Sequence, residues 1–187
     1  MSEAKKRESQ AAPEKIMDGN AFASAVEDMS RKVARDAGGK EICVVGIKTM
    51  GEVVARKMAD SLSKITGDKV PVGVLDITLY RDDIGHSGRK WPEVKGTDMP
   101  FSVEGLNVLL VDDVIFTGRT VRAAMEAITD YGRPARITLA VMADRGGREF
   151  PIQPDYCAVK VKAEENRRVA VMPDGKSGEQ GVFITKK

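Results

Sequence analysis

The chain has 187 residues, 42% of them hydrophobic and 31% charged, a balance that excludes a disordered polymer and suits one globular domain with a core of useful size. Its 30 Lys and Arg against 28 Asp and Glu leave a formal charge of +2, too little for the overall balance to mark a nucleic-acid binder, so any basic surface must be local. No apolar run approaches the about 20 residues that cross a bilayer, and the amino terminus lacks a signal-peptide core, so a cytoplasmic protein with no membrane partner is expected.

Residues 1–15 are charged and carry no large apolar side chain; they are expected to form a disordered extension, with a single domain over 16–187. Phe22, Val26, Met29 and Val33 recur at helical spacing, which predicts a helix over Gly19–Ala37 stopped by Gly38-Gly39. The apolar run Ile42–Ile47 reads as a buried strand. Val54, Met58, Leu62 and Ile65 mark one face of a second helix closed by Gly67, and residues 70–80, rich in β-branched side chains, predict a further strand.

Residues 81–104 break the pattern with Gly, Pro, Asp, Lys and Ser around the lone Trp91. A loop of that length in a compact domain is either functional or a misread element, and a mobile lid is expected. The most apolar strand, 106–111, then feeds into Asp112 and Asp113 and a helix whose Val121, Ala124, Met125 and Ile128 share a face. A strand over 137–142 follows the Gly132-Arg133-Pro134 turn. Short strands over 168–172 and 181–185, with Asp174-Gly175 as a hairpin signal, finish the chain.

Cys43 and Cys157 lie in apolar surroundings without a CxxC pattern, so they are expected to be core residues rather than a disulfide or metal ligands. The single histidine, His86, argues against a clustered imidazole site and reads as a solvated loop residue.

Buried strands alternating with amphipathic helices predict an α/β domain around a mostly parallel sheet, whose ligands sit outside the carboxyl ends of the strands. That rule selects residues 47–51, 111–120 and 142–148. The middle one carries the chemistry. Gly118 lets backbone approach a ligand, while Thr117 and Thr120 add hydroxyls beside the unpaired amides of a helix start, a setting that favours phosphate. Arg119 can add charge-assisted bonds or point outward. Asp112 and Asp113 suit the 2- and 3-hydroxyls of a ribose and could help to hold Mg²⁺. An Asp-Asp pair after a strand also occurs in phospho-acceptor receiver domains, which have no use for a Thr-Gly-Arg-Thr turn, and the GxxxxGK[ST] phosphate loop is absent.

The segment VLLVDDVIFTGRT resembles the binding signature for phosphoribosyl pyrophosphate (PRPP) in type I phosphoribosyltransferases. With VGIKTMG, LDITLYRDD, VKGTDMPF, YGRPARITLAVMADRGGRE and PDY in order, the chain is similar to the PyrR family from about residue 16 to its end. The resemblance implies a type I phosphoribosyltransferase-like fold with a mobile lid loop over about 81–104. It also implies uracil phosphoribosyltransferase activity joined to regulation of pyrimidine operon expression, with Mg²⁺ carried on PRPP and with uracil and UMP as further ligands. On that resemblance Asp112 and Asp113 hold the ribose, Thr117, Gly118, Arg119 and Thr120 hold the 5-phosphate, Val114, Ile115 and Phe116 belong to the same substrate-binding segment, and Lys48, Thr49, Met50 and Gly51 form the pyrophosphate loop. Arg81 begins the lid, Arg145 lies near base and pyrophosphate, the backbone of Met142, Ala143 and Asp144 reads the uracil edge, and Val169 packs on the base. Arg31, Lys32, Arg35 and Arg148 would supply an RNA surface for pyrimidine operon leader RNA, and a homo-oligomer, dimer or larger, is implied. The chain departs from the family pattern at Met50, where an arginine is usual, at Gly147, where a histidine is usual, and at Val161-Lys162-Ala163. A UMP-sensing RNA-binding attenuator with weak or no turnover is the alternative those departures raise.

Overall fold

The computed structural model describes residues 13–82, 94, 96–175 and 178–187. Five parallel strands form the main sheet in the order β3-β2-β4-β5-β6, where β2 is Ile42–Ile47, β3 Val72–Leu75, β4 Asn107–Ile115, β5 Arg136–Asp144 and β6 Tyr156–Lys160. A second, antiparallel sheet joins β1 (Glu14–Met17), β8 (Gly181–Lys186) and β7 (Arg167–Met172) in the order β1-β8-β7.

Helix α1 (Gly19–Ala37) starts where the Asp18 carboxylate accepts the Ala21 N–H at 2.8 Å and ends on Gly38 at φ 59°, the side-chain cap and left-handed stop that such a helix requires. Its buried Phe22, Val26, Met29 and Val33 pack with Val54, Met58 and Leu62 of α2 (Met50–Thr66) against Val44, Leu109, Val111 and Met142 on one face of the sheet. Helix α3 (Arg119–Ile128) covers the other face, where Val121, Ala124 and Ile128 meet Cys43, Val45, Ile47, Leu110 and Val141. The sheet is thus buried on both sides, as parallel sheets are. Cys43 is fully buried and Cys157 half-buried, both free thiols as expected from their apolar neighbours, and burial pushes the Cys43 thiol up to about 11.

Several elements differ from the sequence expectation. Residues 70–80 are not one strand: β3 ends at Leu75 because Asp76 accepts the Thr78 N–H at 2.9 Å and turns the chain into the 3-10 turn Thr78–Tyr80. Glu14 and Lys15, expected in the extension, belong to β1, where Arg167 and Glu179 pair with them at 2.8 and 2.7 Å. The loop between β7 and β8 is longer than a two-residue Asp-Gly hairpin, although Gly175 does take φ 68°. Of the expected lid, residues 83–93 and 95, with His86 and Trp91, lie outside the described residues. Its far end is fixed: Asp98 bridges Val74, Met99 and Phe101 pack on the α3-side core, and Val103 is fully buried. No described helix is long and apolar enough to cross a membrane.

Candidate functional site

The loops after β2, β3, β4 and β5 all leave the sheet at its carboxyl edge, so residues distant in sequence converge there. Strand β4 runs beyond the expected Val111 and carries Asp112, Asp113, Val114 and Ile115 inside it. Within β4, Leu109 and Val111 pack on the α1/α2 side and Val108 and Leu110 on the α3 side, yet Val114 returns to the first side and Ile115 to the second. The two-residue period therefore slips across Asp112-Asp113, where the strand stops serving the core.

Asp112 is 5% exposed and its Oδ1 accepts the Asp113 N–H at 2.9 Å. Burial, then the neighbouring Asp113 charge, raise its carboxyl well above the ordinary range, and burial raises Asp113 too. Two carboxylates in so dry a place favour keeping a proton until hydroxyl donors or a cation arrive.

Immediately beyond, Phe116 and Thr117 turn the chain and Gly118 takes φ 90°, a left-handed conformation that a side chain resists. Gly118 starts α3 with no side-chain cap, so the amides of Arg119, Thr120 and Val121 are left for a ligand, apart from a long 3.4 Å contact of the Arg119 N–H to Thr117 Oγ1. The Arg119 side chain points outward: its guanidinium binds Asp82 at 2.5 Å and Glu149 at 2.7 Å and lies over the Phe150 ring. The part of this turn left open is backbone and hydroxyl rather than guanidinium.

On the neighbouring loop, Lys48 and Thr49 are joined by a cis peptide bond, and Met50 and Gly51 open α2. Gly51 is buried against β4, whereas Met50 stays 39% exposed. The Lys48 ammonium donates to the Gly96 carbonyl at 2.6 Å, and Asp76 accepts the Gly96 N–H at 3.1 Å. Asp76 is a residue that the sequence reading missed; the Asp-x-Thr turn pattern of Asp76 and Thr78 is the signal that could have found it.

Past β5 the expectation for Arg148 needs correction. Met142 and Ala143 are fully buried, and Ala143 and Asp144 pair with both β4 and β6. Arg148 is not a surface cation: its side chain is 12% exposed, pairs with Asp144 at 2.7 Å, and donates to the carbonyls of Ile152 and Phe116 at 2.8 Å each. Its donors are spent inside the fold, which removes it from an RNA surface. Arg145 lies over the Phe116 ring, 4.2 Å from its centroid, and donates to the carbonyls of Arg167 and Glu164 at 2.8 and 3.1 Å.

The remaining expected residues stand apart or at the rim. Val169 is half-buried in β7, packed on the α1/α2-side core. Arg81 follows the 3-10 turn, which the Arg122 guanidinium holds through the Tyr80 carbonyl at 2.5 Å. On α1, exposed Arg31 pairs with Glu27 and Arg35 with Asp36, while exposed Lys32 lines a pocket of about 470 Å³ with Lys160 and Gln153. No group of three or more His, Cys, Asp or Glu comes together among the described residues.

A twisted parallel sheet with an acidic pair at the end of its central strand and an uncapped Gly-Arg-Thr helix start beyond it defines a phosphoribosyltransferase-type domain. A family model described as a phosphoribosyl transferase domain matches residues 13–174. The hypoxanthine phosphoribosyltransferase of Trypanosoma cruzi has a similar fold, with a TM-score of 0.68 at 16% identity over 94% of this chain and 97% of that one. Bifunctional proteins PyrR are far more similar in sequence: that of Roseiflexus sp. (strain RS-1) is 46% identical over 91% of this chain and 94% of its own length, and that of Listeria monocytogenes serotype 4a (strain HCC23) is 46% identical over 91% and 96%. The chain belongs to the PyrR family of phosphoribosyltransferase-domain proteins.

Proposed function

We propose that this protein transfers the ribose 5-phosphate of PRPP to uracil, giving UMP and pyrophosphate, and that it regulates pyrimidine operon expression by binding leader RNA with the nucleotide in place. The observation that carries the first role is the Asp112-Asp113 pair leading straight into the uncapped turn Thr117 to Thr120. The 5-phosphate is held by the first amides of α3 and the hydroxyls of Thr117 and Thr120, and the ribose hydroxyls donate to the two carboxylates. Loss of pyrophosphate leaves positive charge on the ribose, so the protein works by alignment and fixed dipoles rather than by a nucleophile. Lys48, Thr49 and Gly51 face the leaving group from the adjoining loop.

Magnesium enters as part of the PRPP complex. Hard carboxylate oxygens suit it, and the acidic pair alone is too small a donor set for a resident site, so Asp112 and Asp113 would meet it only at the edge of the bound substrate. For RNA, exposed Lys32, which has no ion pair among the described residues, is the best-placed of the expected residues, with Arg31 and Arg35 available once they exchange their acidic partners for phosphates. The relatives' name, bifunctional protein PyrR, favours both roles together over nucleotide sensing alone.

Incubation with labelled uracil, PRPP and Mg²⁺ tests the transfer: UMP should accumulate, and its absence above background rejects the enzyme. Retention of leader RNA measured with and without UMP tests the regulator, which requires UMP to strengthen binding.

A further inference from the structure

We propose that Phe116 is a positioning residue that fixes the small antiparallel sheet over the ribose-phosphate cradle, and that it can do so only because residue 147 has no side chain. This rests on the uracil reading for its substrate but not for its geometry.

Phe116 is an apolar residue left 41% exposed at the head of the acidic strand, where a buried position would be expected for so large a ring. One neighbour is the Arg145 guanidinium, 4.2 Å from the ring centroid, a cation held over an aromatic face. The other is Gly147: at φ 69°, a Cβ built there would stand 2.5 Å from the ring's Cε2 and 3.1 Å from its Cδ2. Any side chain at 147 therefore displaces the ring. Backbone bonds make the loops after β4 and β5 one unit, since Arg145 N–H donates to the Ile115 carbonyl at 3.0 Å and Glu149 N–H to the Thr117 carbonyl at 2.9 Å.

What this unit holds is Arg145, and Arg145 holds the small sheet. Its Nη2 reaches the carbonyls of Glu164, in the turn that leads into β7, and of Arg167, the first residue of β7. Two residues on lies Val169, the side chain expected against the base. A flexible guanidinium with one face unsupported would sample many rotamers; the Phe116 ring limits them and so fixes how far β7 stands from the acidic pair. The consequence is specific to the base. The phosphate and ribose are bound by β4 and α3, which do not depend on this contact, whereas the base must fit between that cradle and β7.

The experiment uses the full chain with Phe116→Leu, Phe116→Tyr and Gly147→Asn, asparagine being chosen because it tolerates the left-handed backbone and so isolates the ring clash. In Phe116→Leu and Gly147→Asn the KM for uracil should rise about tenfold while the KM for PRPP moves by less than about twofold, and Phe116→Tyr should restore the wild-type value. Combining Phe116→Leu with Gly147→Asn should cost no more than either alone. Amide hydrogen exchange without ligands should quicken about fivefold over residues 164–169 in Phe116→Leu. Unchanged exchange there overturns the proposal even if uracil binding weakens, because it makes the ring a direct contact; equal rises in both KM values overturn it as well. If the wild type makes no UMP, the substrate reading fails while the exchange measurement still decides the positioning role.

Discussion

Gly51 stands so close to Asp112 that a Cβ added to it would lie 3.2 Å from the Asp112 Oδ1, 3.1 Å from its Cα and 2.8 Å from the Val111 carbonyl oxygen. The start of α2 and the acidic end of β4 are thus in mutual contact through a missing side chain, so the loop proposed to face pyrophosphate and the pair proposed to face ribose share one geometry. Gly51→Ala should separate them. We expect a stability loss of about 1–3 kcal/mol from overpacking and a fall of about 100-fold in kcat/KM from the misplaced loop, read by thermal melting and steady-state kinetics. A fully active alanine variant would show that the two loops are independent.

Asp112 makes a prediction in pH. Burial raises its native carboxyl above the unfolded value, so the native state keeps a proton that the unfolded chain has released. The stability from this group is complete below the unfolded value near pH 4 and is lost as pH rises through the raised native one. Asp112→Asn, which retains an Oδ1 for the Asp113 N–H, removes that loss. Its melting temperature relative to wild type should increase between about pH 4 and pH 8, while its affinity for UMP drops. A melting difference that does not vary with pH contradicts the buried-proton account.

Arg148→Ala is expected to act through folding. It takes the guanidinium away from the 9%-exposed Asp144, which keeps the Gly146 N–H at 2.8 Å, and strips donors from the Phe116 and Ile152 carbonyls, a loss of about 3 kcal/mol for a broken buried pair. Urea unfolding should show it. Weakened RNA retention in this variant would then track the folded fraction, whereas Lys32→Ala should weaken retention with stability unchanged.

Met50→Arg tests the departure from the family pattern. The position is exposed at the first residue of α2, so a guanidinium fits there without repacking. If it reaches the departing pyrophosphate, kcat should rise about 10- to 100-fold with little change in the uracil KM. No gain would place Met50 outside the leaving-group contact.

Helix α1 could be read from sequence because it is periodic over its whole length and stopped by Gly, and strand β2 and the first part of β4 because each is a continuous apolar run. What escaped were arrangements made by single polar groups. Asp76 shortened an apparent strand by capturing Thr78 and Gly96 amides. Arg119 and Arg148 looked like ligands or surface cations because an arginine in a motif says nothing about which acid it meets; Glu149 and Asp82 claim the first, Asp144 the second. The acidic pair itself was legible, since two adjacent carboxylates closing a run as apolar as Val108 to Val111 need an external reason to be there.

The pairing of β1 with β8 has a consequence for how the molecule is made. During synthesis the five-stranded sheet, with its acidic pair and helix mouth, has all its strands once Lys160 has emerged. The antiparallel sheet must wait for residues 181–186, and β1, which emerges before every other described strand, is left without its partner until then. Nascent chains would therefore carry a complete parallel sheet before its antiparallel companion exists, so the small sheet is the later of the two to be secured.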